Sequence, residues 1–173
     1  MNIGIAIVGG NGSGKSTLGK CLAALLGCRY MDVEDYYFRP SDTTYANPLT
    51  KEEVNAAMQT DINAYGSFVL SSVYGDRGAN INARYTHIVY IEVPKEIRLQ
   101  RVKQRSFNLF GSRMLPGGDL YASEQKFFDM VECRSLDKLD AWVQQMKLPV
   151  MYVDGTKPVT DNAVLIKDWL DLV

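Results

Sequence analysis

Residues 9–17 read Gly-Gly-Asn-Gly-Ser-Gly-Lys-Ser-Thr, and the apolar run IGIAIV (residues 3–8) stands directly before them. A short, wholly apolar run rich in β-branched residues is typical of a strand that is buried on both faces. Leucines at helical spacing follow over residues 18–26, and Gly27 is placed to end that helix. Closely spaced glycines let the intervening backbone curl so that successive N–H groups face one anion. The stretch therefore predicts a strand, an anion-binding loop and a helix.

The loop satisfies a complete nucleotide-binding pattern. Residues 9–16, hereafter the phosphate loop, match G-x-x-x-x-G-K-[ST], which binds nucleoside triphosphates. Lys15 is expected to reach the β- and γ-phosphates, the Ser16 hydroxyl to ligate Mg²⁺ and Thr17 to reach the α-phosphate. The other residues of the predicted nucleotide site are Gly10, Asn11, Gly12, Ser13 and Gly14. A dinucleotide fingerprint is excluded because Lys15 stands where its third glycine belongs.

Composition and charge limit the other possibilities. The chain has 173 residues, of which 46% are apolar and 23% are charged, and these values predict one globular domain over residues 1–173. A net charge of −1 gives no support for a nucleic-acid partner, and no apolar run reaches the roughly 18–20 residues of a membrane span. Three widely spaced cysteines fit a reducing compartment. We therefore expect a cytoplasmic protein, a monomer or weak homodimer, with no nucleic-acid or membrane partner.

Five apolar runs alternate with helical patterns along the chain. The predicted strands cover residues 3–8, 28–31, 67–70, 87–93 and 149–153. The predicted helices cover residues 18–26, 51–65, 95–105, 121–146 and 161–172. Thr50 and Glu53 form a capping-box pattern before the second helix, and residues 75–82 are predicted as a loop. Short apolar strands separated by helices predict an α/β fold with a parallel sheet covered by helices on both faces.

Carboxylates cluster after the second predicted strand. Asp32, Glu34 and Asp35 are three carboxylates within four residues, at the edge of the sheet where open α/β folds bind ligands. Phosphoryl transfer requires neutralised charge and an oriented nucleophile, and carboxylates contribute to both. All three are candidate catalytic residues, and the sequence leaves open which of them is the base. An acidic turn that caps a helix is the alternative interpretation.

The third predicted strand ends without a carboxylate. Ser71 and Ser72 stand there, whereas typical motor ATPases place a Mg²⁺-supporting Asp at such a strand end. This difference argues against a motor ATPase and leaves the support of Mg²⁺ to Asp32 or Glu34. We take Ser16 and Asp32 as the candidate metal-binding pair.

A basic segment follows the fourth predicted strand. Residues 98–113 contain five cations and no carboxylate, namely Arg98, Arg101, Lys103, Arg105 and Arg113. Spacings of three and four place Arg98, Arg101 and Arg105 near one helical face. Glycine and proline at 116–118 provide bends beyond it, and Arg134 on the next helix is a weaker member of the group. A solvated basic face is the alternative interpretation.

In its motifs and its order of elements, nearly the whole chain resembles the nucleoside monophosphate kinase-like branch of P-loop proteins. This branch includes adenylate, shikimate, gluconate and uridine kinases, and the chain also resembles a set of small bacterial ATP-binding proteins described as adenylate kinase-like. The resemblance implies a three-layer P-loop NTPase fold with a five-stranded parallel sheet and a small lid, here at about residues 105–120. It also implies transfer of the γ-phosphoryl group of ATP, with Mg²⁺, to a small-molecule acceptor.

The same resemblance implies roles for particular residues. Arg101 would flank the adenine, while Arg105 and Arg113 would approach the transferring phosphate as a lid closes. Gly155 and Thr156, in the loop after the fifth strand, would pack against the base. The carboxylates after the second strand would support Mg²⁺ through water and accept the proton of the attacking hydroxyl. The acceptor pocket would be lined by Ser71, Ser72, Tyr74 and Arg77.

The class of acceptor stays open at this point. An acceptor phosphate needs cations around it, and residues 39–66 offer only Arg39 and Lys51. An alcohol or a nucleoside fits the carboxylate- and tyrosine-rich residues 32–38 at least as well. The alternative function is an ATP-binding switch or NTPase that regulates a protein partner.

Overall fold

The computed structural model of the protein describes residues 2–38 and 48–171. The apolar runs form five strands: β1 (Gly4–Val8), β2 (Arg29–Asp32), β3 (Phe68–Ser72), β4 (His87–Glu92) and β5 (Val150–Asp154). All neighbouring strands are parallel, in the order β2-β3-β1-β4-β5. The predicted α/β fold with a five-stranded parallel sheet is confirmed. The central position of β1 places the phosphate loop over the middle of the sheet.

In the described part of the chain, six α-helices lie between the strands and a seventh follows β5. They are α1 (Lys15–Leu26), α2 (Lys51–Tyr65), α3 (Ala79–Asn82), α4 (Lys95–Phe110), α5 (Tyr121–Cys133), α6 (Asp137–Met146) and α7 (Val159–Leu170) among the described residues. Gly27 ends α1 in the left-handed conformation, with a φ of 65° that favours glycine. No helix in the described part of the chain is long and apolar enough to cross a membrane.

The sheet separates two hydrophobic cores because successive residues of a strand point to opposite faces. Ile5 and Ile7 of β1 pack with Leu22 of α1 and Ile166 of α7 on one face. Helices α2, α3 and α6 cover the other face, where Trp142 is buried. Each fully buried Ile or Leu side chain contributes roughly 1.5–3 kcal/mol. The sheet is thus held rigidly between two layers of helices, and its carboxyl edge is a fixed platform.

The region that follows β4 differs from the predicted pattern. Helix α4 continues to Phe110 instead of ending near residue 105, and a 3₁₀ helix at Gly111–Met114 follows it. A small third core joins α4 to α5 through Val102, Met114 and Phe128. The predicted lid at 105–120 is therefore built from the last turn of α4 and the turns after it.

Two further predictions about elements are wrong. The continuous helix over residues 121–146 is broken at 134–136 into α5 and α6. Arg134 has an extended backbone there, and the Ser135 hydroxyl accepts the N–H of Asp137 at the start of α6. The predicted loop at 75–82 contains the single-turn helix α3. Both differences arise from hydrogen bonds that periodicity does not reveal.

The first prediction concerns the beginning of α2. Thr50 and Glu53 form both bonds of a capping box, at 3.2 and 2.9 Å. Thr50→Ala removes the side-chain acceptor, so we expect the free energy of unfolding to fall by about 1 kcal/mol. Urea denaturation monitored by circular dichroism measures this change as a lower midpoint at constant slope.

Thr60→Ala is the matched control for Thr50→Ala. Thr60 lies within the same helix, where its hydroxyl only bonds back to the carbonyl of Ala56. Alanine is the better helix former at such a position, so this variant should be as stable as the wild type or slightly more stable. Equal losses in both variants would contradict a specific role for the cap.

Candidate active site

The phosphate loop leads from β1 into α1 in a conformation that depends on glycine. Gly9, Gly12 and Gly14 have φ values of 147°, 80° and 96°, which L side chains rarely adopt. A Cβ at Gly12 would also collide with the backbone carbonyl of Arg98 in α4. The loop is therefore pressed between α1 and α4, and its backbone N–H groups gather at the beginning of α1.

Lys15 is held inside this loop. Its Nζ donates a hydrogen bond to the carbonyl of Gly10, at 2.9 Å. Burial lowers the pKa of Lys15 to about 8, against the opposing attraction of Glu34 and Asp32. A poorly solvated ammonium group in a ring of N–H donors favours an anion beside it. The position of Lys15 is the one expected for a residue that binds phosphate.

The structure brings the predicted metal-binding pair together. The Ser16 hydroxyl donates to Oδ2 of Asp32 at 2.6 Å, and Oδ1 of Asp32 accepts the N–H of Glu34 at 3.1 Å. The second bond caps the 3₁₀ helix Val33–Tyr36 that follows β2. Asp32 is thus fixed between the end of the sheet and the beginning of α1.

These residues fit an Mg²⁺ ion that is bound mainly by nucleotide and water. Mg²⁺ prefers hard oxygen ligands, keeps several waters and is usually held by one or two carboxylates together with substrate phosphates. Ser16 and Asp32 offer one hydroxyl and one carboxylate. In the described part of the chain no group of three or more His, Cys, Asp or Glu could hold a metal by itself. The donor set therefore suits a phosphate-bound ion, not a metal ion held by protein ligands alone.

A cavity of about 630 Å³ extends from the phosphate loop across the ends of β2 and β3. Its nucleotide end is lined by Asn11, Gly12, Gly14, Lys15, Ser16 and Thr17. Its opposite end is lined by Asp32, Glu34, Tyr37, Ser72, Tyr74 and Arg77. Its roof includes Arg101 and Arg105 of α4 and Arg134. One continuous space thus joins a triphosphate loop to a polar pocket.

The arginines of α4 have separate environments. Arg98 is buried, at 9% exposure, and its Nε donates to the carbonyl of Val93 at 3.2 Å. Both Nη atoms of Arg101 donate to the carbonyl of Gly155 at 3.1 Å, which places this side chain between the phosphate loop and the loop after β5. Arg105 lines the cavity one turn further along. Arg101 and Arg105 therefore line the cavity, whereas Arg98 packs against the phosphate loop outside it.

The sequence indicates Arg134 only as a weaker member of the basic group, and in the structure this residue lines the cavity. Its Nη1 donates to Oδ1 of Asn11 at 3.0 Å, and its guanidinium lies 5.8 Å from the centre of the Tyr74 ring. The break between α5 and α6 puts it there. A continuous helical pattern concealed that break, so the sequence held no strong signal for this contact.

Asp35 does not share the cavity with Asp32 and Glu34. It lines a separate surface pocket beside Arg29 and Tyr65. The 3₁₀ turn after β2 sends neighbouring side chains in different directions, and Asp35 is turned away from the phosphate loop. Asp32 and Glu34 therefore share the cavity and Asp35 does not, and which carboxylate is the base stays a prediction.

Arg113 also lies outside the cavity. Its guanidinium forms an exposed ion pair with Asp119, at 2.6 Å, and its carbonyl accepts the N–H of Leu120 at 3.0 Å. The neighbouring carboxylate holds the pKa of Arg113 above its usual range. Asp119 is thus the partner of Arg113 in this structure, and the approach of Arg113 to a phosphate as a lid closes stays a prediction.

The remaining residues of the predicted nucleotide site are Thr156, Gly155 and Ser13. The Thr156 hydroxyl and N–H both donate to Asp154, at 2.6 and 2.8 Å, so this side chain stabilises its own turn. Gly155 offers its carbonyl to Arg101, and a Cβ there would lie 2.5 Å from Ile91. Ser13 is buried and its hydroxyl has no hydrogen-bond partner among the described residues.

Arg77 is the cation at the far end of the cavity. Its N–H donates to Asn82 and its carbonyl accepts from Asn55, both at 3.0 Å, so the backbone is fixed by α2 and α3. Its buried Nε has no hydrogen-bond partner among the described residues. Arg39, the other cation considered for this end, lies outside the described residues. Its Nη2 donates to the carbonyl of Tyr74 at 3.5 Å, so the guanidinium is held at the wall of the cavity.

Comparison with known proteins agrees with this fold. No family model matches the chain. The chain is 25% identical over 178 residues to the uncharacterized protein YqaC of Bacillus subtilis (strain 168), with 98% of each chain covered.

Three solved structures are similar over nearly their whole length. The shikimate kinase from Acinetobacter baumannii in complex with shikimate has a TM-score of 0.57 and 19% identity, covering 98% of this chain and 93% of that one. A sugar kinase from Janibacter sp. HTCC2649 has a TM-score of 0.56 and 14% identity, covering 99% and 95%. A gluconokinase from Sinorhizobium meliloti 1021 has a TM-score of 0.55 and 14% identity, covering 97% and 93%. The chain therefore has the same α/β fold as these three kinases, as its sequence predicts.

The second prediction concerns the buried charge of Lys15. Its pKa is about 8 in the folded protein and 10.5 as the ordinary value, so between these pH values the unfolded chain binds more protons at this residue. The free energy of unfolding gains a contribution that rises with pH over this interval. At about 1.4 kcal/mol for each pKa unit, the total gain is on the order of 3 kcal/mol.

The variant Lys15→Met has no ionisable group at this position, and its methionine side chain is similar in shape to that of lysine. Urea denaturation of both proteins from pH 7 to pH 10.5 should show the wild type gaining stability relative to the variant as pH rises. Other groups titrate alike in both proteins and cancel in the difference. Parallel pH profiles would show that Lys15 keeps its ordinary pKa.

Proposed function

We propose that this protein transfers the γ-phosphoryl group of Mg²⁺–ATP to a hydroxyl group of a small acceptor. The observation that carries this proposal is the single cavity that joins Lys15 and Ser16 to a pocket with a carboxylate, Glu34, and a cation, Arg77. Phosphoryl transfer is catalysed mainly by positioning and by electrostatic stabilisation, and both are provided by such an arrangement.

The nucleotide end of the cavity suits a triphosphate. The backbone N–H groups of the phosphate loop and the ammonium of Lys15 bind its phosphates. Ser16 and Asp32 would hold Mg²⁺, which neutralises phosphate charge when it is bound. Arg101 and the backbone of Gly155 form a place for the base, and Arg105 stabilises negative charge that develops on the transferred group.

The hydrogen bonds of the two carboxylates suggest separate roles for them. Both oxygens of Asp32 are engaged, by Ser16 and by the N–H of Glu34, so Asp32 suits metal support. The carboxylate of Glu34 accepts no hydrogen bond from the described residues and faces the cavity. Glu34 takes the proton of the acceptor hydroxyl, the hydroxyl oxygen bonds to the γ-phosphorus, and ADP leaves with the bridging oxygen.

A general base beside the cavity favours a hydroxyl acceptor over a phosphate acceptor, since an ionised phosphate has no proton to lose. Arg77, as a cation that lines the far end of the cavity, fits an acceptor that also carries an anionic group such as a carboxylate. The shikimate kinase and the gluconokinase described above are, by their names, kinases of hydroxy acids. A hydroxy acid is therefore the first class of acceptor to test.

The third prediction is the direct test of this function. Mg²⁺-dependent formation of ADP is measured against hydroxy acids, sugars, nucleosides, nucleoside monophosphates and small cofactor precursors. At least one hydroxyl acceptor should raise turnover well above the rate with water, and Lys15→Ala should abolish the increase. ATP that binds tightly without stimulation by any acceptor would contradict the kinase and favour a nucleotide switch that acts on a protein partner.

The fourth prediction separates the roles of the carboxylates. Glu34→Gln keeps the size of the side chain and removes the base, so kcat should fall by about 100-fold or more with little change in the affinity for ATP. Glu52→Gln, in the exposed first turn of α2, is the matched control and should leave kcat unchanged. Steady-state kinetics with the best acceptor provide the measurement. An unchanged kcat in Glu34→Gln would remove Glu34 as the base.

A further inference from the structure

Tyr30 shares the oxygen of Asp32 that Ser16 contacts. Tyr30 lies on β2, two residues before Asp32, and its hydroxyl donates to Oδ2 of Asp32 at 2.9 Å. Ser16 donates to the same Oδ2 at 2.6 Å. With the N–H of Glu34 on Oδ1, the carboxylate accepts three hydrogen bonds. A carboxylate held on both oxygens has a single orientation.

The phenol of Tyr30 is itself held in place by α1 and β3. Its ring packs on Gly19, where a Cβ would lie 2.5 Å from Cε2 of the ring. Its hydroxyl lies beside that of Ser71, which donates to the backbone carbonyl of Lys15 at 3.1 Å. Asp32 and Ser71 are register partners on adjacent strands. A connected group of hydroxyls therefore joins β2, β3 and the beginning of α1.

We infer that Tyr30 is a positioning residue, whose hydroxyl holds the Asp32 carboxylate toward Ser16 in the orientation that supports Mg²⁺. The inference rests on the proposed function. In it, the Asp32 carboxylate, oriented by Tyr30, takes the role for which motor ATPases use a carboxylate at the end of the third strand. Outer partners of this kind orient metal ligands, and their loss typically costs about 10–100-fold in metal affinity or activity.

A variant that removes only the hydroxyl of Tyr30 distinguishes a role of this hydroxyl in orienting Asp32 from a role of the ring in packing. Tyr30→Phe keeps the ring against Gly19 and removes the donor. Tyr90→Phe is the matched control, since the Tyr90 hydroxyl also donates to a carboxylate, that of Asp140 at 2.8 Å, on the opposite face of the sheet. The urea midpoints of the two variants report any general loss of stability.

The experiment measures binding, so it does not depend on the acceptor. The affinity for a non-hydrolysable ATP analogue is determined by titration calorimetry with saturating Mg²⁺ and again with EDTA, and the ratio is the Mg²⁺-dependent gain. Tyr30→Phe should lower this gain about tenfold while the affinity in EDTA stays at the wild-type value. Tyr90→Phe should keep both affinities.

A second comparison asks whether Tyr30 acts through Asp32. Asp32→Asn should lower the Mg²⁺-dependent gain, and adding Tyr30→Phe to it should produce no further loss, because two residues that act in series are not additive. A gain that is unchanged in Tyr30→Phe would overturn the inference. The inference would also be overturned if Tyr30→Phe lowered the affinity for the analogue equally with Mg²⁺ and with EDTA. It would be overturned as well if Tyr30→Phe caused the same loss in the Asp32→Asn variant as in the wild type.

The outcome for the wild type separates this inference from the function on which it rests. A wild-type protein that binds the analogue no more tightly with Mg²⁺ than with EDTA would overturn the proposed use of Mg²⁺–ATP, and the role of Tyr30 with it. A wild-type gain that Tyr30→Phe does not reduce would overturn the role of Tyr30 alone.

Discussion

The close packing of α4 on the phosphate loop is the constraint on which the site depends. A side chain at Gly12 would collide with the backbone of Arg98, and one at Gly10 would collide with its guanidinium. Helix α4 can therefore approach the loop this closely only because these residues are glycines. The same contact brings Arg101 and Arg105 to the cavity, since they follow Arg98 at helical spacing. The phosphate loop and the arginines of α4 that line the cavity are thus packed together.

The sheet supplies the second half of the arrangement. Its two buried faces hold β1, β2 and β3 in fixed register, so their carboxyl ends stay at constant separation. Polar residues occur at those ends: Asp32 ends β2 and Ser72 ends β3 at the cavity, and Ser71 of β3 is buried beneath α1. Each of these three side chains is hydrogen-bonded, to Ser16 or Tyr30, to the Lys15 carbonyl and to the Tyr74 carbonyl respectively. The rigid sheet therefore fixes the positions of these three side chains relative to one another.

Local pattern predicted the parts of this structure that depend on local physics. The phosphate loop, the five strands, the capping box at Thr50 and the glycine end of α1 follow from spacing, burial and backbone conformation over a few residues. The positions of Asp35, Arg113 and Arg134 depend instead on partners or turns that periodicity does not show. Asp35 is turned away by a 3₁₀ helix, Arg113 is paired with Asp119, and Arg134 reaches Asn11 across a long stretch of sequence. The contact of Tyr30 with Asp32 could not be predicted from the sequence, because a tyrosine in a strand is usually a packing residue.

The break between α5 and α6 connects the two ends of the cavity. Arg134 contacts Asn11 of the phosphate loop and lies over the ring of Tyr74, while the Tyr74 hydroxyl donates to the carbonyl of Ser135 at 3.3 Å. A few residues further on, Trp142 of α6 fills the space beside Gly75, so the loop after β3 is clamped from two sides. The loop after β3, which carries Arg77, is consequently connected to the phosphate loop through Arg134 and Ser135.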